Sequence, residues 1–171
     1  MSAPMMPVGP LSAESLAKID KAVAKYPPTE KQSAVMAALT IAQGEKGWLS
    51  TETMEFVAKY LGMAPVAVYE VATFYTMYDL KPVGKHKLTI CTNLPCALQG
   101  ATVAAEHLKK VLGIGFNETT ADGLFTLKEG ECLGACGDAP VLLQNNKRML
   151  CAMNPEKIDQ LLGALKSGGA K

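Results

Sequence analysis

The sequence predicts an α+β chain in two parts, an N-terminal four-helix region over residues 1–80 and an α/β domain over 81–171. Three observations carry this expectation. Apolar residues recur at helical spacing from Ser12 to Tyr78, interrupted by proline and glycine. After Lys81-Pro82-Val83-Gly84 the pattern changes to short alternating strands separated by helical stretches. Four of the five cysteines then fall in two tight pairs, CTNLPC and CLGAC, each beside a predicted strand.

Composition narrows the function classes. With 171 residues, 49% hydrophobic and 19% charged, the chain can bury a core, as one domain or two small ones. Its 17 basic and 16 acidic side chains are interspersed and leave a net charge of +1. No long-range field exists to attract nucleic acid or an anionic membrane surface. The N-terminal MSAPMMPVGPLS lacks the basic flank and apolar run of a secretion signal, and it lacks the arginines of a transit peptide. No run approaches the roughly 20 apolar residues that span a bilayer. The expectation is a cytosolic chain without direct membrane insertion, whose thiols stay reduced.

The helices follow from local grammar. The first covers Ser12 to Lys25, with Leu16, Ile19 and Val23 on one face, and Tyr26-Pro27-Pro28 ends it. Thr29 and Gln32 have capping-box spacing for a second helix, whose stripe of Val35, Leu39 and Ala42 runs to Gly44 and Gly47. Ser50 caps a third, with Glu52 in its first turn and Met54, Val57 and Leu61 facing inward up to Gly62. Pro65 opens a fourth through PVAVYEVATFYTMYDL, apolar nearly all round. A helix without a wet face is buried or serves as an interface.

In the second part, Lys87 to Cys91 alternates as a strand and Gly100 to Leu112 follows as a helix. Residues 113–123 read as a loop and Leu124 to Leu127 as a second short strand. Val141 to Gln144 and Met149 to Cys151 flank Asn145-Asn146-Lys147 as a hairpin. Asn154 caps a last helix that Pro155 opens, with Ile158, Leu161, Leu162 and Leu165 as its stripe and a frayed SGGAK tail. The resulting order β-α-β-β-β-α is the layout of a thioredoxin-like α/β sandwich. Ala139-Pro140 precedes a strand, where such folds keep a cis proline.

Cys91 ends the first strand and Cys96 lies in the turn toward the next helix; Cys132 and Cys136 occupy a glycine-bearing loop before another strand. One site fed by two loops at strand ends is geometrically reasonable. Zinc ribbons favour two-residue gaps in domains too small to fold without metal, whereas this domain has about 90 residues and its own apolar elements. The four-residue gap of Cys91 and Cys96 fits an iron–sulfur loop; the three-residue gap of Cys132 and Cys136 departs from the plant-type pattern. Thioredoxin-type catalysis needs a two-residue gap. Spacing alone therefore leaves a cluster and zinc open. Gly130, Gly134 and Gly137, with no lysine or arginine inside either loop, favour the cluster, because freed backbone N–H groups stabilise sulfur.

Longer motifs carry a specific resemblance: GWLS at 47–50, VYEVATFYTMY at 68–78, PVGK at 82–85, CTNLPC at 91–96, ETTADGLFTL at 118–127 and ECLGACGDAP at 131–140. Over roughly residues 12–166 the chain resembles the 24-kDa subunit family of the NADH:quinone oxidoreductase of respiratory complex I. The resemblance implies a thioredoxin-like 2Fe–2S domain in which Cys91, Cys96, Cys132 and Cys136 hold one 2Fe–2S cluster. It implies that the helical region packs on a flavin-bearing subunit, which binds FMN and NADH while this chain binds neither. Further iron–sulfur subunits complete such an assembly, placed in the bacterial cytoplasm and peripheral to the inner membrane through the complex. Similar subunits serve NAD-reducing hydrogenases and NAD-dependent formate dehydrogenases, and the motifs do not separate these hosts. A zinc-stabilised docking module without redox chemistry is the rival reading.

The remaining candidates receive plainer expectations. Cys151 has the wrong spacing for a ligand and reads as a buried small hydrophobe. His86 and His107 read as surface side chains, and the cluster of Lys81, Lys85 and Lys87 as a solvated face.

Overall fold

A computed structural model describes residues 10–168, and the chain divides into two compact units between Pro82 and Val83. The first unit is helical: α1 (Ala13–Val23), a 3₁₀ stretch (Pro28–Ala34), α2 (Val35–Lys46), α3 (Thr51–Leu61) and α4 (Pro65–Phe74). Ser12 and Ser50 cap α1 and α3 by accepting from the backbone N–H of Ser15 and Thr53. Gly47 and Gly62 end α2 and α3 at φ +83° and +69°, a left-handed geometry that costs glycine no steric penalty. Ile19, Leu39, Leu49, Val57 and Val68 fill the core between the helices.

Two expectations fail here. Thr29 and Gln32 form no capping box, because the chain after Pro27 coils as a 3₁₀ stretch with a non-helical Glu30. The Gln32 amide donates instead to the Glu30 carboxylate, and α2 starts at Val35 without a side-chain cap. The fourth helix stops at Phe74 rather than continuing through the aromatic run, since Tyr75 turns extended. That turn lets Tyr78 fold back, buried, with its hydroxyl donating to the Met36 carbonyl at 2.9 Å.

The second unit is a five-stranded sheet with helices. Its strands are β1 (His86–Cys91), β2 (Glu118–Thr119), β3 (Phe125–Gly130), β4 (Leu142–Gln144) and β5 (Arg148–Leu150), ordered β2-β3-β1-β4-β5. The helices are α5 (Leu94–Leu98), α6 (Ala101–Leu112) and α7 (Pro155–Lys166). β1 and β3 are parallel; every other pair is antiparallel. Leu88, Ile90, Phe125, Leu127 and Leu142 pack against Leu108 of α6 and Ile158 and Leu162 of α7. Asn154 caps α7 through the Lys157 N–H, and the β4–β5 turn holds Asn145 and Asn146 at positive φ, as an Asn-rich hairpin favours.

β2 lies within the stretch expected to be loop. It is a two-residue edge strand of exposed Glu118 and Thr119, so it carries no apolar alternation to announce it. His86 is also misjudged. It is buried at the start of β1 beside the Phe125 ring, with both ring nitrogens unpartnered, and burial together with the Lys85 charge lowers its pKa. His107 is half-buried and bridges α6 to Asp159 of α7 at 2.8 Å. Lys87 is buried rather than solvated. The Ala139–Pro140 peptide is cis, as its position before a strand suggests. The expected frayed tail extends past the described residues, which end at Gly168. Among the described residues no helix is long and apolar enough to cross a membrane.

Candidate metal centre

Strand register builds the site. β1 and β3 run parallel and end together, Cys91 beside Gly130. β4 runs antiparallel on the opposite side of β1 and enters the ladder at Leu142, opposite Ile90. The chain leaving β3 at Gly130 must therefore cross the C-terminal end of β1 to reach β4. That crossing segment carries Cys132 and Cys136. It spans two strand spacings, roughly 10 Å, with eleven residues, leaving slack to fold over the strand end. Backbone bonds pin it at both margins: Thr92 N–H donates to the Gly130 carbonyl and Cys91 N–H to the Val141 carbonyl, each at 3.0 Å.

The crossing needs glycine where it begins. A Cβ at Gly130 would sit 2.8 Å from the Thr89 methyl, closer than carbon atoms pack. Gly134 takes φ +73° between the two loop cysteines and turns the chain back. A third backbone bond, Ala152 N–H to the Asp138 carbonyl at 2.8 Å, anchors the far side of the loop to the segment after β5.

The four thiols are not equivalent. Cys91 and Cys96 are 1% and 2% exposed, in a small apolar cluster with Ala101 and Val141, onto which Leu133, Ala135 and Ala139 of the crossing loop pack. Cys132 and Cys136 are exposed. Cys96 sits in the five-residue α5, directly after Leu94 and Pro95 open it. Burial, then the neighbouring Cys91, then Cys136 push the Cys96 thiol up to about 11, against the opposing Val141 N–H. The Cys91 thiol donates to the Glu131 carbonyl at 2.6 Å. Cys91 and Cys136 are thus each within electrostatic reach of Cys96, and Cys132 shares the loop of Cys136. Among the described residues no three His, Cys, Asp or Glu side chains converge in metal-ligating geometry.

The model of the thioredoxin-like [2Fe-2S] ferredoxins matches residues 19–166. The chain belongs to that family. It is 42% identical over 155 residues to an NADH-quinone oxidoreductase subunit of Rickettsia bellii, covering 90% of this chain and 92% of that one. It is 38% identical over 150 residues to NADH-quinone oxidoreductase subunit 2 of Thermus thermophilus, covering 88% and 83%. The fold is also similar to a solved NAD+-reducing [NiFe]-hydrogenase in the air-oxidised state, with a TM-score of 0.66 at 18% identity. That match covers 76% of this chain and 23% of the longer hydrogenase chain. The family drawn from the motifs therefore stands.

The residues present suit the cluster of a [2Fe-2S] ferredoxin in their chemistry. Cys91 and Cys96 are soft, dry sulfur donors at the end of β1, the loop that crosses that end carries Cys132 and Cys136, and iron–sulfur clusters are held by Cys thiolates. Iron held by these thiols would have to displace the proton that Cys91 donates to the Glu131 carbonyl. Cys151 lies on the segment that follows β5. It is exposed, contrary to expectation, because β5 ends at Leu150 on the sheet edge and Ala152 follows at φ +50°. His86 lies at the other end of β1, roughly 16 Å along the strand from Cys91. No side-chain pattern could have announced Glu131 and Val141, since both act through the backbone.

Proposed function

We propose that this chain is the electron-transfer subunit of an NADH:quinone oxidoreductase, holding one 2Fe–2S cluster on Cys91, Cys96, Cys132 and Cys136, two thiolates per iron. The strand register supports this most directly: it brings both cysteine loops to the same end of β1. When bound, the cluster takes up and returns one electron at a time. Leu133, Ala135 and Ala139 keep water from the Cys91 and Cys96 sulfurs, and the Val141 N–H stabilises negative charge on Cys96. All-thiolate ligation without histidine favours a low potential.

The neighbouring subunit in this reading binds FMN and NADH and docks on the helical unit. α4 supports that role: only Val68 and Ala72 are buried, while Val66, Tyr69 and Phe74 stand exposed. An apolar face of this kind marks a protein contact. The assembly lies in the cytoplasm and meets the membrane through other subunits.

Anaerobic purification tests the reading. The expected protein is red-brown with two irons per chain and shows a rhombic paramagnetic signal after dithionite. Cys91→Ser or Cys136→Ser should lower iron content by about tenfold or more, while Cys151→Ser leaves colour and signal intact. A colourless chain with stoichiometric zinc sinks the proposal. Co-purification of membrane subunits selects the quinone-linked complex over a hydrogenase or formate dehydrogenase.

A further inference from the structure

Between α1 and α2 runs an open groove of about 420 Å³. Its floor is apolar. Met36 and Ile41 come from α2 and Met77 from the segment after α4, while the small Ala22 and Ala37 leave depth between them. One wall is basic: Lys18, Lys21 and Lys25 line it at three- and four-residue steps, which string their ammonium groups along one edge. Lys18 is held by Glu14 at 2.7 Å. Among the described residues Lys21 and Lys25 have no acidic partner, and no carboxylate lines the groove.

Shape and charge select an occupant. A small ligand binds well where most of its surface is enclosed, and this groove is open along its length. An amphipathic helix laid in a groove instead offers anchors at every third or fourth residue to a floor beneath it. Two methionines suit that floor, because their unbranched thioethers repack around different side chains. The lysine wall repels a basic flank and favours an acidic one, fixing register and on-rate more than raw affinity.

We propose that this groove docks an amphipathic helical segment of a partner protein, with its apolar stripe on Met36, Ile41 and Met77 and flanking Asp or Glu side chains on Lys21 and Lys25. The proposal rests on the reading of the chain as a subunit of a larger assembly. It adds a second contact, of defined chemistry, to the aromatic face of α4.

The experiment places a benzophenone side chain at Thr40, exposed on the groove margin, and separately at Ala37, in the purified complex. After photolysis the cross-linked peptide is sequenced by mass spectrometry. The expected product is a partner segment with apolar residues at helical spacing flanked by Asp or Glu. Its yield should fall about tenfold in the Lys21→Glu, Lys25→Glu double variant and on raising salt. A cross-link to lipid, to a basic or uncharged segment, or to a second copy of this chain overturns the proposal. So does a yield unchanged by the double variant, or no product from either position in a complex whose cluster spectrum is intact. A chain that purifies without partners overturns the subunit reading and this occupant together.

Discussion

The helical and sheet units each bury a dry apolar core, but only the sheet unit carries cysteines. In the sheet unit, Leu88, Ile90, Leu127 and Leu142 are fully buried, while Leu94, Leu98 and Val103 stand exposed. In the helical unit the core is equally dry around Leu39, Leu49 and Val57, yet α4 leaves Phe74 78% exposed. Of the four paired thiols in the sheet unit, Cys91 and Cys96 are buried and Cys132 and Cys136 are exposed on the crossing loop. The helical unit leaves Val66, Tyr69 and Phe74 of α4 outward. Apolar side chains thus make the core in both units and also stand exposed in both, at Phe74 of α4 and at Leu98 of α5.

Core truncation gives the largest expected effect. Leu127→Ala should cost about 2–5 kcal/mol, read as a drop in the denaturation midpoint of the sheet unit, because it opens a cavity between sheet and helices. Phe74→Ala should stay within about 0.5 kcal/mol for the isolated chain while weakening capture by the flavin-bearing subunit in a pull-down. A stability loss at Phe74 equal to that at Leu127 would break the contrast.

Helix caps should act alike in both units, which sharpens where the contrast lies. Ser50→Ala and Asn154→Ala each remove an observed side-chain cap and should cost about 1 kcal/mol by urea denaturation. Thr29→Ala should cost nothing comparable, since Thr29 makes no side-chain cap bond in the structure.

A smaller effect concerns pH. Hydrogen bonds from Ser15 and Ser12 hold the Glu45 carboxyl down to about 2. The Ser12 N–H and hydroxyl reach it at 3.1 and 2.8 Å, tying the start of α1 to the end of α2. A carboxylate whose pKa is depressed by folding stabilises the folded state above its unfolded value, and that contribution disappears as pH falls through the folded one. Protection of the α1 amides from hydrogen exchange should therefore decline between pH 4.5 and 2, and Glu45→Gln should flatten that decline. The smallest effect is at exposed Cys151, where serine should alter neither stability nor cluster spectrum.

Legibility followed the range of the forces involved. Ser12, Ser50, Asn154, Pro65 and Pro155 act on backbone groups within a turn of themselves, so the helix starts they signal were readable and are present. β2 was not readable, because two exposed residues on a sheet edge have only the ladder to β3 to define them. His86 and Cys151 were misassigned for burial in opposite directions. Exposure depends on what packs above a residue, and that is decided by elements distant in sequence.

The site divides the same way. The sequence by itself determined the donor chemistry, four thiols in two loops with glycines beside them and no cation inside either, because residue type and spacing are local properties. Only the tertiary structure decided that the two loops share one place. That follows from the parallel pairing of β1 with β3 and the antiparallel entry of β4, which force the chain between Gly130 and Leu142 across the end of the strand that carries Cys91.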